Sequence, residues 1–234
     1  MTLTPIAHIK TDLPTKFGVP RQSGLVPALK GRIVFETPFR NADALRGLED
    51  FDYLWLIWSF SAHLPQHSAL PAPDSSWALV RPPRLGGNEK MGVWATRSSF
   101  RPNGLALSSV RIEKIETDTP DGPVIHVTGV DMMDGTPIYD IKPYVTFTDS
   151  HPEARSGFVD TRVKPLLDVH FPEEMLSMLP VHHREAAASL IAQDPRPAYQ
   201  DNTERIYGFS FAGYDIRFCV HDDRVAEVVD VKKL

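Results

Sequence analysis

The chain has 234 residues, a formal net charge of -5 and a hydrophobic fraction of 42%, values typical of a globular protein with one or two domains. This composition excludes a collagen-like, disordered or membrane-spanning chain, since the longest apolar run, Leu54–Phe60, is too short to cross a bilayer. Cys219 is the single cysteine and cannot form an internal disulfide, and Met1–Lys10 lacks the pattern of a signal peptide. We therefore expect a cytoplasmic protein.

The first part of the chain is predicted to be mostly strands. Asn41 has the properties of an N-cap for a short helix over Ala42–Leu48, and Leu54–Trp58 is a continuous apolar run typical of a strand buried on both faces. Residues 64–89 are rich in Pro, Ser and Gly and predict a long loop. The other predicted strands are Gly31–Glu36, Met91–Thr96, Leu105–Glu116, Pro123–Val130 and Pro137–Val145, with a hairpin turn at Asp121–Gly122.

A polar segment over Thr148–Gly157 predicts a linker to a smaller C-terminal unit. That unit is predicted to contain helices at Glu173–Leu179 and Val181–Gln193, which Pro180 separates. Strands follow at Tyr207–Phe211, Tyr214–Val220 and Arg224–Val231. We expect a mainly β protein with a first domain over 1–150 and a small α+β domain over 158–234.

Several common catalytic motifs are absent from the sequence. It contains no G-x-G-x-x-G loop, no Walker loop and no G-x-S-x-G elbow. The nine histidines do not form a zinc-type spacing with each other or with Cys219, and Pro65 interrupts the one promising pair, His63 and His67. The sequence therefore predicts neither a Rossmann-type cofactor site nor a metal site.

One segment, residues 81–101, is basic. It contains Arg81, Arg84, Lys90, Arg97 and Arg101 against a single acid, Glu89. Trp94 and Phe100 lie in the same segment and could stack on nucleic-acid bases. The alternatives are an ordinary solvated loop for the charges and a core position for the aromatic rings.

Six short motifs occur in order along the chain. They are Val19-Pro20-Arg21-Gln22, residues 81–88 (RPPRLGGN), residues 92–103 (GVWATRSSFRPN), residues 131–137 (DMMDGTP), residues 140–144 (DIKPY) and residues 193–199 (QDPRPAY). Together they resemble the TsaA-like (TrmO) family of tRNA methyltransferases over nearly the whole chain. One departure is Gly104-Leu105-Ala106, where the family usually has Pro-Ile-Gly.

The resemblance implies a β-barrel that works as a homodimer and binds S-adenosyl-L-methionine near the subunit interface. It also implies methylation of the exocyclic nitrogen of threonylcarbamoyl-adenosine, next to the anticodon of threonine tRNA. The positions that match the family's cofactor contacts are Pro20, Arg21, Gln22, His63, Leu64, Arg97, Leu107, Asp131, Met132, Met133 and Asp134. For Asp131 and Asp134 the alternative is simple turn chemistry before Gly135.

The implied substrate has a weakly nucleophilic nitrogen and a free threonyl carboxylate, and each suggests a kind of protein side chain that would act on it. Loss of a proton would help the poor nitrogen nucleophile, and Asp131 and His63 are candidate bases by residue type, the alternative being positioning of the substrate without a dedicated base. The threonyl carboxylate suits a guanidinium, so Arg81, Arg84 or Arg101 is expected to bind it, the alternative being phosphate contacts alone. Asn103 is a further expected substrate-binding residue.

The sequence is also consistent with alternative roles for the C-terminal unit and for the whole chain. The C-terminal unit either stabilises the first domain and contributes a dimer contact, or binds tRNA through Arg196, Tyr199, Lys232 and Lys233. The whole chain could instead be a non-catalytic RNA-binding barrel, or a methyltransferase that uses the same cofactor on another small substrate.

Overall fold

The structure, a computed structural model, describes residues 3–60, 76–82, 89–161, 165–196, 205–222 and 224–234. Its first part is a closed barrel of six antiparallel strands in the order β1-β2-β7-β6-β3-β8, beside a two-stranded sheet of β4 and β5. The strands are β1 (Ala7–Thr11), β2 (Lys30–Phe35), β3 (Tyr53–Ser59), β4 (Leu79–Val80), β5 (Met91–Gly92), β6 (Leu105–Glu116), β7 (Val124–Thr128) and β8 (Thr136–Pro143).

The barrel closes because alternate side chains of each strand point into a common core. In β3, Leu54, Leu56 and Trp58 are buried, while Trp55 and Ile57 between them are partly exposed. The prediction of a strand buried on both faces was therefore wrong for β3, which alternates like its neighbours. Strand β6 has the predicted bounds, and Gly122 forms the predicted hairpin turn before β7 with a φ of 78°.

The C-terminal part is a four-stranded sheet covered by a helix. The short helix α1 (Thr146–Asp149) follows β8 and still contacts the barrel, since Trp55 Nε1 donates to Asp149 Oδ2 over 2.8 Å. The elements of the C-terminal part are α2 (Phe158–Thr161), β9 (Asp168–His170), α3 (Glu173–Leu176), α4 (Val181–Ala192), β10 (Tyr207–Phe211), β11 (Tyr214–His221) and β12 (Val225–Lys233). The sheet order is β10-β11-β12-β9, with β9 parallel to β12. Helix α4 buries Ala187, Leu190 and Ile191. These features confirm the predicted mainly β fold with a small C-terminal α+β unit.

Some local predictions were wrong. The strand predicted over Met91–Thr96 ends at Gly92 and continues as a 3-10 helix over Val93–Ala95. The helix predicted over Ala42–Leu48 consists of 3-10 turns, although the Asn41 side chain caps the first of them by accepting from the Asp43 amide. Most of the loop predicted over 64–89 lies outside the described residues. Among the helices in the described part of the chain, none has the length and apolar character needed to span a membrane.

The barrel and the C-terminal sheet share one hydrophobic core. The Ala212 amide donates to the backbone oxygen of Asp12 over 2.9 Å, and Asp12 lies 3.6 Å from His183 of α4. Gly18, with a φ of 96°, lies so close to Phe209 of β10 that an added Cβ would be 2.8 Å from the ring. The loop between β1 and β2 is therefore packed against the C-terminal sheet.

Candidate cofactor site

The carboxyl group of Asp131 lies at the end of a directed chain of hydrogen bonds. Trp58 Nε1 donates to Ser108 Oγ over 2.9 Å, and Ser108 Oγ donates to Asp131 Oδ2 over 3.0 Å. Because an indole N–H can only donate, the Ser108 hydroxyl proton is directed to Asp131. Asp131 Oδ1 is buried and has no hydrogen-bond partner among the residues that the structure describes.

The environment of this carboxyl makes ionisation less favourable than it is in water. Burial raises the pKa of Asp131 from 3.8 to about 6. The Ser108 hydrogen bond, the backbone amides of Asp131 and Ser23, and the charge of Arg97 lower the pKa, but desolvation has the larger effect. A ligand with a positive charge or N–H donors would partner Oδ1 and stabilise the ionised form. S-adenosylmethionine, which has a sulfonium and an ammonium group, fits this requirement.

Gln22 connects the loop between β1 and β2 to Arg97. Arg97 Nη1 donates to Gln22 Oε1, and Gln22 Nε2 donates to the backbone oxygen of Arg21 over 2.5 Å. Arg97 is also near enough to Asp131 for its charge to act on that carboxyl. The structure thus brings together Gln22, Arg97 and Asp131 from three distant segments of the chain.

The predicted C-terminal motif supports the same loop. Arg21 Nη2 donates to the backbone oxygens of Asp194 and Arg196 over 3.4 and 3.3 Å, and Gln193 Nε2 donates to the backbone oxygen of Leu25 over 3.1 Å. The Arg196 side chain is buried and forms two hydrogen bonds to the Asp194 carboxylate, at 2.7 and 3.1 Å. These contacts favour a structural, stabilising role for Arg196 over a role in tRNA binding.

A second surface lies on the basic segment. The Trp94 ring is 69% exposed, so Trp94 is not a core residue, and the Arg101 guanidinium lies 6.0 Å from its centroid. Arg101 Nη2 donates to the backbone oxygens of Val93 and Thr96 over 3.2 and 2.8 Å, which holds the segment in shape. An open depression of about 200 Å³ is lined by Trp94, Arg101, Asn103 and Leu105.

The turn after Asp131 makes contacts within the barrel. Met132 is fully buried in the core, and the backbone oxygen of Met133 accepts from the Thr136 hydroxyl over 2.8 Å. Asp134 Oδ1 accepts from the Thr11 amide over 3.0 Å. These bonds fix the turn that places Asp131.

The remaining predicted residues are dispersed. Pro20 is buried, Arg81 is exposed, and Leu107 is 53% exposed on the face of β6 opposite to Ser108. Lys232 pairs with Asp230 at 2.9 Å, and Lys233 is exposed beside it. His63, Leu64, Arg84 and Tyr199 lie outside the described residues.

Trp58 and Ser108 were not among the predicted site residues. Ser108 is 2% exposed at an inward position of β6, where apolar residues are the norm. A polar residue at such a position in a well-predicted strand was the available signal, because buried hydroxyl groups need partners.

Two family models match the chain, and both describe the same family. The tRNA-methyltransferase O N-terminal domain matches residues 8–150, and the TrmO C-terminal domain matches residues 164–234. A crystal structure of TrmO from Pseudomonas aeruginosa superposes with a TM-score of 0.77 at 31% identity, covering 100% of this chain and 97% of that one.

Curated relatives agree with these matches. A tRNA (adenine(37)-N6)-methyltransferase of Escherichia coli is 36% identical, covering 93% of this chain and 92% of its own length. The Eikenella corrodens protein of the same name is 47% identical over 72% of this chain and 90% of its own length. A putative S-adenosylmethionine-dependent methyltransferase of P. aeruginosa, RcsF, is 38% identical over 98% of this chain and 97% of its own. The chain therefore belongs to the tRNA-methyltransferase O family.

Proposed function

We propose that this chain is an S-adenosylmethionine-dependent tRNA (adenine-N6)-methyltransferase whose substrate is threonylcarbamoyl-adenosine beside the anticodon of threonine tRNA. The structural observation behind the proposal is Asp131 Oδ1, a buried carboxylate oxygen without a partner in the described structure, close to Arg97 and Ser23. The names of the E. coli and E. corrodens relatives support tRNA and the adenine N6 as the target.

Asp131, Gln22 and Arg97 would hold the cofactor, together with the backbone of the loop around Arg21. The resemblance adds His63, Leu64, Leu107 and residues 132–134 as further proposed contacts. When bound, S-adenosylmethionine supplies an electrophilic methyl group, and the protein contributes orientation and electrostatics.

Near neutral pH, Asp131 could either bind a cationic group of the cofactor or accept a proton. Because its pKa is about 6, the carboxylate is ionised at pH 7 and still basic enough to accept a proton. Ser108 occupies Oδ2, so Oδ1 is the atom available either to a cationic group of the cofactor or to the N6 proton. His63 is the other proposed base.

The depression beside Trp94 is the proposed place for the nucleoside. An exposed indole offers a stacking surface for a base, and Asn103 is exposed at the same depression. Arg81, Arg84 and Arg101 would bind the threonyl carboxylate or nearby phosphates. Of these, Arg101 already donates Nη2 to the backbone, and its Nε is buried without a partner in the described structure, which leaves Nη1 for a ligand.

We also propose a cytoplasmic homodimer, as the resemblance implies. Exposed apolar side chains near the site, including Phe100 at 64% and Leu107 at 53%, support a second chain or RNA covering this surface. Sedimentation of the purified protein would give the mass of a dimer, and a monomer at all concentrations would contradict this part.

The test combines cofactor binding with methyl transfer. Calorimetry should detect one S-adenosylmethionine per chain, and mass spectrometry should find a new methyl group on threonine tRNA only when the threonylcarbamoyl group is present. At least one of Arg81→Lys, Arg84→Lys and Arg101→Lys should reduce the preference for modified over unmodified tRNA. Arg217→Lys is the matched control, because Arg217 is exposed in the C-terminal sheet and pairs with Asp215 at 2.9 Å.

The outcomes separate the alternatives. RNA binding without cofactor uptake would identify a non-catalytic RNA-binding barrel, and cofactor uptake without methylation of any tRNA would identify another substrate. If no lysine variant of Arg81, Arg84 or Arg101 changes the preference, these arginines contact only phosphates.

A further inference from the structure

The outer face of the β11–β12 hairpin carries three metal-ligating residue types. Cys219 and His221 alternate with the core residues Phe218 and Val220, so both belong to the opposite face of β11, where the Cys219 side chain is itself buried. Glu227 lies directly opposite Cys219 in the register with β12. The sequence analysis found no zinc-type spacing, because the three residues are brought together only by this strand pairing.

The three ligand atoms converge on one point. Cys219 Sγ lies 3.3 Å from His221 Nε2, and the same nitrogen lies 3.2 Å from Glu227 Oε2. All three atoms lie within 4.8 Å of one another. A tetrahedral ion with ordinary zinc bond lengths separates sulfur from nitrogen by about 3.5 Å and nitrogen from oxygen by about 3.4 Å. The observed distances are close to these values.

Hydrogen bonds connect the three side chains only in part, and the Cys219 thiol also donates to the backbone oxygen of Glu227 over 3.9 Å. A ring nitrogen has one in-plane site, either a proton or a lone pair, so His221 Nε2 can form a good hydrogen bond with only one of its two neighbours at a time. A cation between the three atoms would bind all of them.

The local charge also favours a cation. The Glu227 carboxylate lies beside the His221 ring and the Cys219 thiol, and a cation would be attracted to its negative charge. Arg217, on the same strand face, is already paired with Asp215. His221 and Glu227 have side chains that are 47% and 43% exposed, which gives an ion access from solvent.

We propose that Cys219, His221 and Glu227 form a site for Zn²⁺ or a similar transition-metal ion, with water as the fourth ligand. One sulfur, one nitrogen and one oxygen donor suit a borderline ion better than Mg²⁺ or Ca²⁺. The site joins β11 to β12 at the end of the C-terminal sheet, and it is separate from the Asp131 network.

Cobalt titration of the full-length protein, after treatment with a chelator, tests the site. We expect one Co²⁺ per chain with a thiolate-to-cobalt charge-transfer band, displacement by Zn²⁺, and a higher unfolding temperature with metal. Cys219→Ser should abolish the band, and His221→Gln and Glu227→Gln should each weaken binding at least about tenfold. His126→Gln is the matched control, since His126 pairs with Glu116 on the barrel and has no thiol partner in the described structure.

Absence of the band in wild-type protein, or equal metal affinity in Cys219→Ser and wild type, would overturn the proposal. Circular dichroism should give folded spectra for all variants, because each substitution keeps a polar side chain of similar size. S-adenosylmethionine binding should be unchanged in every variant, so failure of this site and failure of the proposed function are distinguishable.

Discussion

At the residue scale, the polarity of the Trp58–Ser108–Asp131 chain determines what the site can bind. The donor-only indole directs the serine proton to Oδ2, so the hydroxyl cannot turn to satisfy Oδ1. A buried oxygen left in this state costs folding free energy, and a bound cation or N–H group recovers it. Such a cost is typical of functional sites.

Asp131→Asn should therefore make the free protein more stable at neutral pH while it impairs methyl transfer. A folded-state pKa of about 6 against 3.8 means that ionisation of Asp131 costs up to about 3 kcal/mol at pH 7, so we expect a gain of about 1–3 kcal/mol. Urea unfolding of both proteins measures it. The gain should be small below about pH 4, grow as the pH rises to about 6, and then stay constant. A pH-independent difference would contradict the role of ionisation.

Ionisation of Asp131 should strengthen cofactor binding, although it lowers the stability of the free protein. The cationic cofactor is expected to bind the ionised form of Asp131, so its Kd should rise roughly tenfold for each pH unit below about 6 and level off above it. Calorimetry between about pH 4.5 and 8 gives the profile. In Asp131→Asn the profile should be flat, and a slope that persists there would assign the titration to another residue.

At the scale of elements, the loop between β1 and β2 depends on the C-terminal sheet. Gly18→Ala should lower both stability and cofactor affinity, because the positive φ and the contact with Phe209 both oppose a side chain. We expect a loss of about 1–3 kcal/mol in the free energy of unfolding. Thermal unfolding and calorimetry measure the two effects.

Gly47→Ala separates backbone strain from packing. Gly47 has a φ of 84°, and no atom of the described residues lies within 4 Å of an added Cβ, so its alanine variant reports the cost of the positive φ alone. It should be less destabilising than Gly18→Ala and should leave cofactor affinity unchanged. Equal effects of the two variants would show that the contact with Phe209 does not matter.

The elements differ in how well the sequence predicts them. Strand β6 was predicted with its observed bounds because its branched apolar residues and flanking turn residues agree with each other. Val93–Ala95 was predicted as a strand because apolar residues favour the extended state, but this segment instead forms a 3-10 helix whose shape Arg101 maintains. The contact of Arg21 with residues 194 and 196 could not be predicted, because the sequence around Arg21 contains no signal for a tertiary contact with such a distant segment.

At the scale of the whole molecule, the shared core predicts a single cooperative unfolding transition. All four tryptophans lie between residues 55 and 94, so their fluorescence reports on the barrel half of the chain, and the thiol reactivity of Cys219 reports on the C-terminal sheet. The two probes should give the same urea midpoint. Midpoints that differ would mean that the two units unfold independently despite their contacts.

The hydrogen bonds of Arg21 to the C-terminal motif also have a consequence for biosynthesis. Its backbone partners lie 173 and 175 residues downstream, so both are among the later parts of the chain to leave the ribosome. A nascent chain that has already closed its barrel would still have an unanchored Arg21 loop until those residues emerge. Ribosome-bound intermediates of this protein should therefore acquire methyl-donor binding abruptly, near the completion of translation, and not gradually as strands are added.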